Sequence, residues 1–464
     1  MESGVGFRGS LASCRPFLRA LNLLTSTATK AASNRLTARS AACLLRTAVS
    51  IRKVTDSLRA LHARHKDRHR PTGFGFAFAD RVDFLNREVW DEVTTNGSLF
   101  LRRSLLRVIE QHGPENLTTR YAIVFREAKA VAVVAAQIVT VSGAQLRREK
   151  GAEKRPATLL RRVMAPAAKA AGANLRERIL VAGNLLSWGF DGIAFAPGED
   201  PAAIWPGVAE ALYRMRRAER LAGQTSFVLV KDLTAAQSGL DALHRFSYRP
   251  LETEPNMVLA IDPAWRSYED YLSVLDAKNR RNARDQLKKL AGAGCTLEPL
   301  DDLTPHAPRL HALYRAVQGN ASVRLVTLGE SCLPEMARAL GADFRCTAIR
   351  RGAEILGFVT TLRNGPTAIA YYLGFDRKAA EQGLPIYLRL LHTTISDAIT
   401  WRCRTLSLGR TALMPKAGLG AKPEPMHVWM RHRVPVLNWL LRGLLGAVTH
   451  DEAPERNPFK SSNQ

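Results

Sequence analysis

The sequence predicts an α/β (α+β) chain with two tandem units, each a mixed, mostly antiparallel sheet flanked by helices, behind a basic N-terminal extension that is helical or disordered. Three observations lead there. At 464 residues the chain exceeds one ordinary core, yet 46% hydrophobic and 23% charged residues are values of folded domains. The order hairpin, strand, helix, strand can be read twice. Between two strand-like runs, Asn364-Gly365 is a tight-turn signal, because these residues tolerate the positive φ that such a turn needs. The expected divisions are 1–70 for the extension, 71–262 for the first unit with a basic insertion at about 144–178, 263–433 for the second unit, and 434–464 for an amphipathic helix and tail.

The extension is rich in Ala, Ser, Thr and Arg, with fourteen Arg or Lys against three acids, nearly half of the chain's net charge of +25. Such a field attracts polyanions, including RNA, nucleotides and anionic lipid. A solvated tail, a start codon set too early and an organellar transit peptide are alternatives; without a long apolar core it is not a secretory signal. His62, His65 and His69 lie near one helical face but beside Arg64, Lys66, Arg68 and Arg70, so they read as part of the basic run, and no metal is expected. The six cysteines form no CxxC pair and read as reduced, buried thiols of a cytosolic protein.

In the first unit, RYAIVFREAKAVAVVAAQIVTVSG (120–143) reads as a hairpin. The stretch from Gln145 to Arg178, with ten Arg or Lys and two prolines, fits no strand and reads as an insertion. GFDGIAFAPG then supplies a strand, PAAIWPGVAEALYRMRRAERLA a helix and TSFVLVKDL a second strand. Asp191 and Glu199 have no obvious partner. DAKNRRNARDQLKKL (276–290) has Ala283, Leu287 and Leu290 on one side and six basic residues elsewhere, the pattern of a helix with one buried stripe.

In the second unit, FRCTAIR, ILGFVTTLR and TAIAYYLGFD form a three-stranded meander. Ile386, Leu390, Leu391, Ile395, Ala398 and Ile399 then recur at helical spacing, and TLSLG (405–409) reads as a buried strand, so a parallel pair closes the sheet. The glycines and proline of GRTALMPKAGLGAK argue for a loop. No apolar stretch reaches the ~20 residues of a membrane helix. VPVLNWLLRGLLGAV (434–448), interrupted by Arg442, reads as a stripe packed on its own protein, with a bilayer surface as the alternative. The location expected is cytoplasmic, or peripheral at the inner face of the membrane.

The passages SYEDYLSVLDAKNRRNARDQLKKL, ILGFVTTLRNGPTAIAYYLGFD and TLSLGRTALMPKAGLGAKPEPMHVWMRHR resemble the GNAT acyltransferases in tandem arrangement. They are similar to the Fem-type aminoacyltransferases, and more so to the bacterial cellulose-biosynthesis-type or peptidoglycan-biosynthesis acetyltransferases. The resemblance covers roughly 75–435 and is stronger in the second unit. It implies a sheet whose strands TAIAYYLGF and TLSLG splay apart, exposing backbone NH groups to an acyl donor. It further implies donor contacts at Leu373, Gly374, Arg377 and Gly383, and acyl coenzyme A as co-substrate. One departure from the family pattern bears on that: the helix starts RKAAEQGLP, where Gly383 arrives late and Pro385 removes a donor, so aminoacyl-tRNA is the alternative.

Tyr371 and Tyr372 should point to opposite faces of their strand, which makes Tyr372 the candidate general acid or ligand stacker. Asp376 reads as a helix N-cap or as the group that orients or deprotonates the acceptor, with Glu381 a weaker substitute. His392, mid-helix, reads as a core or boundary residue. Arg410 and Lys416 would overhang the splayed strands and suit phosphate or carboxylate recognition. The first unit reads as a structural half framing an acceptor cleft. The reading is thus an acyltransferase acting on an amine or hydroxyl of a glycan or cell-envelope precursor. A catalytically inactive protein binding tRNA, other polyanions or an anionic membrane surface is the alternative, and no specific DNA binding is expected.

Overall fold

The computed structural model describes residues 70–142, 176–318, 325–435 and 456–460, with single positions at 56, 59, 63, 437, 438 and 454. His62, His65, His69 and most of 434–448 lie outside the described residues. The chain divides into two compact units, Met1–Pro71 and Thr72–Gln464, and the second contains all the described strands.

In chain order the first half of that unit contains β1 (Gly75–Ala79), α1 (Arg87–Val93), α2 (Arg103–His112), β2 (Leu117–Arg126), β3 (Lys129–Ser142), β4 (Arg176–Ala182), β5 (Ile193–Phe195), α3 (Pro201–Ala218), β6 (Thr225–Leu233), α4 (Asp241–Arg245) and β7 (Arg249–Ala260). The second half contains α5 (Tyr268–Val274), α6 (Ala277–Gly292), β8 (Cys295–Pro299), α7 (Ala307–Gln318), α8 (Cys332–Leu340), β9 (Phe344–Arg351), β10 (Glu354–Asn364), β11 (Thr367–Phe375), α9 (Arg377–Glu381), α10 (Ile386–Thr400), β12 (Thr405–Ser407), α11 (Leu413–Ala417) and β13 (Lys422–His432).

All the strands join one sheet, in the order β1-β2-β3-β4-β6-β13-β7-β12-β11-β10-β9-β8, with β5 on β3. Among the described strands only β4–β6 and β11–β12 pair in parallel. The last strand of each half is exchanged. β7 leaves β6 and pairs with β12, while β13 enters between β6 and β7. One core also crosses the halves: Leu99, Phe100, Leu105 and Ile109 pack with Leu310, Tyr314, Met336, Phe358 and Tyr371. The hairpin turn of the second half caps a turn of the first, with Leu99 N donating to Asn364 Oδ1 at 2.9 Å.

Several expectations need correction. The strand parallel to β6 is β4, not the GIAFAPG segment, which forms only the three-residue β5 on β3. The insertion therefore ends before Arg176, where strand structure begins. Within GRTALMPKAGLGAK, residues 413–417 are a short helix entered through Ala412 at φ +52°. The C-terminal tail is pinned: Asp276 N donates to Pro458 O, Lys460 N to Val274 O, and the Phe459 ring packs near Trp265 and Tyr271.

Candidate active site

The parallel pair β11–β12 holds over three residues only, Thr367–Ile369 against Thr405–Ser407. Beyond it β12 turns away: Leu408 N donates to Met257 O, and Gly409 N donates to Asn256 Oδ1 at 3.1 Å. The rest of β11 pairs only with β10. In the first half the corresponding strands stay together, from Arg178–Thr225 to Ala182–Val230. The opening thus belongs to the second half.

Backbone direction along β11 follows from two hydrogen bonds. Tyr372 N donates to Thr360 Oγ1 at 2.9 Å and Asp376 N to Leu356 O at 2.8 Å, so both amides face β10. Successive N–H groups alternate between the strand's edges. Those of Leu373 and Phe375 consequently face the opened edge, and that of Gly374 faces β10.

The two tyrosines do not sit on opposite faces. Val359 pairs with Leu373 and Thr361 with Ala370, so Thr360 alone faces both Tyr371 and Tyr372. This bulge breaks the alternation, and the rings meet at 4.5 Å between centroids and pack against the same core. Tyr371 is buried with its hydroxyl unpartnered. Tyr372 is half-buried, edge-on to Tyr314 at 5.4 Å. Burial, with Tyr314 and Cys332 nearby, pushes its phenol well above the usual range, so it stays protonated.

Asp376 caps α9: its side chain accepts from Ala379 N at 3.1 Å, and Arg309 lies 3.5 Å from its other oxygen. The amide bond from Ala379 leads the effects that hold this carboxyl below its usual value. An acid so engaged is a weak base, so the geometry favours the capping role. Glu381 closes the same short helix and is exposed. Gly374 lacks a side chain for a packing reason, since an added Cβ would lie 2.5 Å from the backbone of Leu313 and Tyr314 on α7. Arg377 is exposed at the first position of α9.

The helix expected after Asp376 is broken in two, and Gly383 supplies the break at φ +90°. The amides of Gly383, Leu384 and Ile386 are already bonded to the carbonyls of Ala380, Ala379 and Leu384. They offer no backbone cradle for the pyrophosphate of coenzyme A. His392 is a core residue, as the sequence suggests, and burial followed by Arg389 drives its pKa down to about 3.

Arg410 follows the end of β12, and its charge is already met. It pairs with Asp232 of β6, and Glu254 is 3.9 Å away. The guanidinium expected to suit phosphate or carboxylate recognition thus already holds a carboxylate of the first half. Asp232 is fully buried, sits at φ +55° and also takes Lys231 and the Gly189 amide. Lys416 differs. It is 3% exposed, with no ion pair among the described residues, and burial lowers its pKa to about 7.

The first half reaches into the site through Trp188, a residue the sequence did not single out. Trp188 Nε1 donates to Ser407 Oγ at 2.8 Å, and its ring lies 6.2 Å from that of Tyr371. Its loop is held by Asp191, which accepts from Ser98 and Ser187 at 2.6 Å each. Glu199 is likewise partnered, by Arg126 and Lys129. No cluster of His, Cys, Asp or Glu able to hold a metal occurs among the described residues.

Residues 277–417, from α6 to α11, match the family model described as "Acetyltransferase (GNAT) domain". Over 214 residues the chain is 26% identical to "Putative 8-amino-7-oxononanoate synthase 2" of Mycobacterium tuberculosis (strain CDC 1551 / Oshkosh), covering 45% of this chain and 28% of that protein. The chain therefore spans under a third of that relative's length. Among solved structures, FemX superposes with a TM-score of 0.47 at 12% identity, covering 78% of this chain and 98% of that one. A tandem GNAT protein from the clavulanic acid biosynthesis pathway superposes with a TM-score of 0.43 at 11% identity, covering 78% and 99%.

Proposed function

We propose, from the premise that this chain is a GNAT-superfamily acyltransferase, that its second half moves an acyl group from an activated ester donor to an amine or hydroxyl at the opened edge of β11. The observation that carries the reading is the end of the β11–β12 ladder at Ile369–Ser407, which leaves the Leu373 amide without a strand partner. The donor's carbonyl oxygen would accept from Leu373 N–H. As the acceptor attacks, that amide stabilises the oxyanion, an effect worth ~3–4 kcal/mol per donor. Tyr372, a neutral phenol, passes its proton to the leaving group and recovers one from the acylated amine or hydroxyl, so the acceptor's proton ends on the leaving group and no covalent enzyme intermediate is required. Lys416 meets a carboxylate or phosphate of the donor as a point charge. Asp376 and Gly374 support the geometry, and Arg410 fixes the loop.

Acyl coenzyme A is the first donor candidate, as for GNAT domains generally. Aminoacyl-tRNA is the second, favoured by the amides of Gly383, Leu384 and Ile386, which are already bonded. The acceptor class, a glycan or cell-envelope precursor, rests on sequence resemblance to the cellulose- and peptidoglycan-biosynthesis branch. Thermal stabilisation of the full chain by a panel of acyl coenzyme A species and aminoacyl-tRNAs, followed by turnover of any hit, tests the reading. Leu373→Pro, which removes the amide hydrogen, should abolish turnover in a folded protein. Consumption of no donor, or unchanged turnover in this variant, would refute it.

A further inference from the structure

Away from this opening, most arginines of the first half lie against a carboxylate. Arg103 and Arg107 meet Asp83, Arg120 and Arg178 meet Glu219, Arg126 meets Glu199 and Arg214 meets Glu210. Three others gather instead around one aromatic ring. The guanidinium carbons of Arg216 and Arg217, in the last turn of α3, lie 5.4 and 5.9 Å from the centroid of Tyr213, and that of Arg431, on β13, lies 5.9 Å from it. Among the described residues none of the three makes an ion pair. Arg216 and Arg431 are half-buried, and Arg217 Nη1 donates to the Tyr213 hydroxyl at 3.3 Å.

Like charges at such range repel, and the repulsion grows as solvent is removed. Burial, then Arg431, holds the Arg216 pKa below its ordinary value. The neighbouring Tyr248 is buried and its phenol is pushed up to about 12, burial outweighing the pull of Arg431 and Arg216. The ring of Tyr213 offsets part of the repulsion through cation–π contact, but it supplies no countercharge. The end of α3 supplies roughly half a negative charge, which explains a preference for cations in its last turn. It does not balance three, and it does not account for Arg431, which arrives on the exchanged strand.

We propose that Arg216, Arg217 and Arg431 form a phosphate-binding site beside Tyr213 and Tyr248, taking a phosphate ester dianion or a pyrophosphate. Planar guanidinium forks match the oxygens of such groups, and convergence of three favours a multiply charged anion over a single carboxylate. The site is separate from the acyl-transfer opening and exists only when β13 is seated beside β6.

The test titrates inorganic pyrophosphate into the full chain by calorimetry at fixed ionic strength, with chloride as the reference anion. Saturable binding at one site is expected, weakened about tenfold by Arg216→Gln and by Arg431→Gln. Arg87→Gln, at an exposed arginine on α1, should leave it unchanged. Unliganded melting temperatures identify any variant that fails to fold, and Arg217→Gln replaces it. Phosphatidylglycerol vesicles form the second arm. If they bind and lose binding in the same variants, the phosphate is that of a lipid headgroup; if only pyrophosphate binds, it belongs to a soluble ester. Absence of saturable binding to both probes, or equal weakening by Arg87→Gln, would overturn the site.

Discussion

Asp232 and Arg410 form an ion pair between the two halves, a fully buried carboxylate on β6 holding the first side chain after the β12 turn. Removing one partner of a buried pair leaves charge uncompensated, at a cost of about 3–5 kcal/mol. Asp232→Asn should lower the urea midpoint accordingly. Burial raises the Asp232 pKa, but Lys231 and Arg410 outweigh it and hold the group below its ordinary value. Its contribution is thus complete above about pH 4 and fades as pH falls through the lower folded value. The variant should lose its disadvantage at the acid end of a stability profile.

Tyr372→Phe keeps the ring against Tyr314 and removes a hydroxyl that makes no hydrogen bond among the described residues. Melting temperature should barely change. If the phenol is the general acid, kcat should fall by about 100-fold or more with the donor that the panel identifies. Equal kcat in both proteins would remove Tyr372 from the chemistry.

Lys416 titrates at about 7 in the folded chain, against about 10.4 when unfolded. Between those values the unfolded chain binds more protons, so the contribution of this group to stability rises with pH. Lys416→Met should be more stable than the parent at pH 6, with the gain shrinking towards pH 10. Urea midpoints at the two pH values measure it, and a gain independent of pH would contradict an unpaired buried amine.

Gly374→Ala pushes a methyl group to 2.5 Å from the backbone of α7. Overpacking of this kind costs about 1–3 kcal/mol. The loss should appear in calorimetric melting, and an unchanged melting temperature would mean that α7 yields freely.

Strands β9, β10 and β11, the Asn364-Gly365 turn and α10 were legible because each is written in local periodicity and turn chemistry. The bulge at Tyr371-Tyr372 was not, since it depends on Thr360 of the neighbouring strand and leaves no mark on the alternation of β11 itself. β4 was hidden because its first residues continue the basic run of the insertion, and GIAFAPG offered a better apolar pattern. The partners of Arg410 and Asp191 were out of reach for another reason. Asp232 precedes Arg410 by 178 residues and Ser98 precedes Asp191 by 93, so only tertiary packing brings them together. The direction of the β11 amides, with that of Leu373 rather than Gly374 facing the opening, could not be read from the segment and required the hydrogen bonds of its neighbours.

The exchanged strands set an order of events during synthesis. Residues 422–432 must leave the ribosome and slot between segments made some 160 to 200 residues earlier, so the sheet of the first half waits with a vacant seam until β13 has been made. A chain cut at residue 262 would therefore keep an unzipped edge in place of a finished domain.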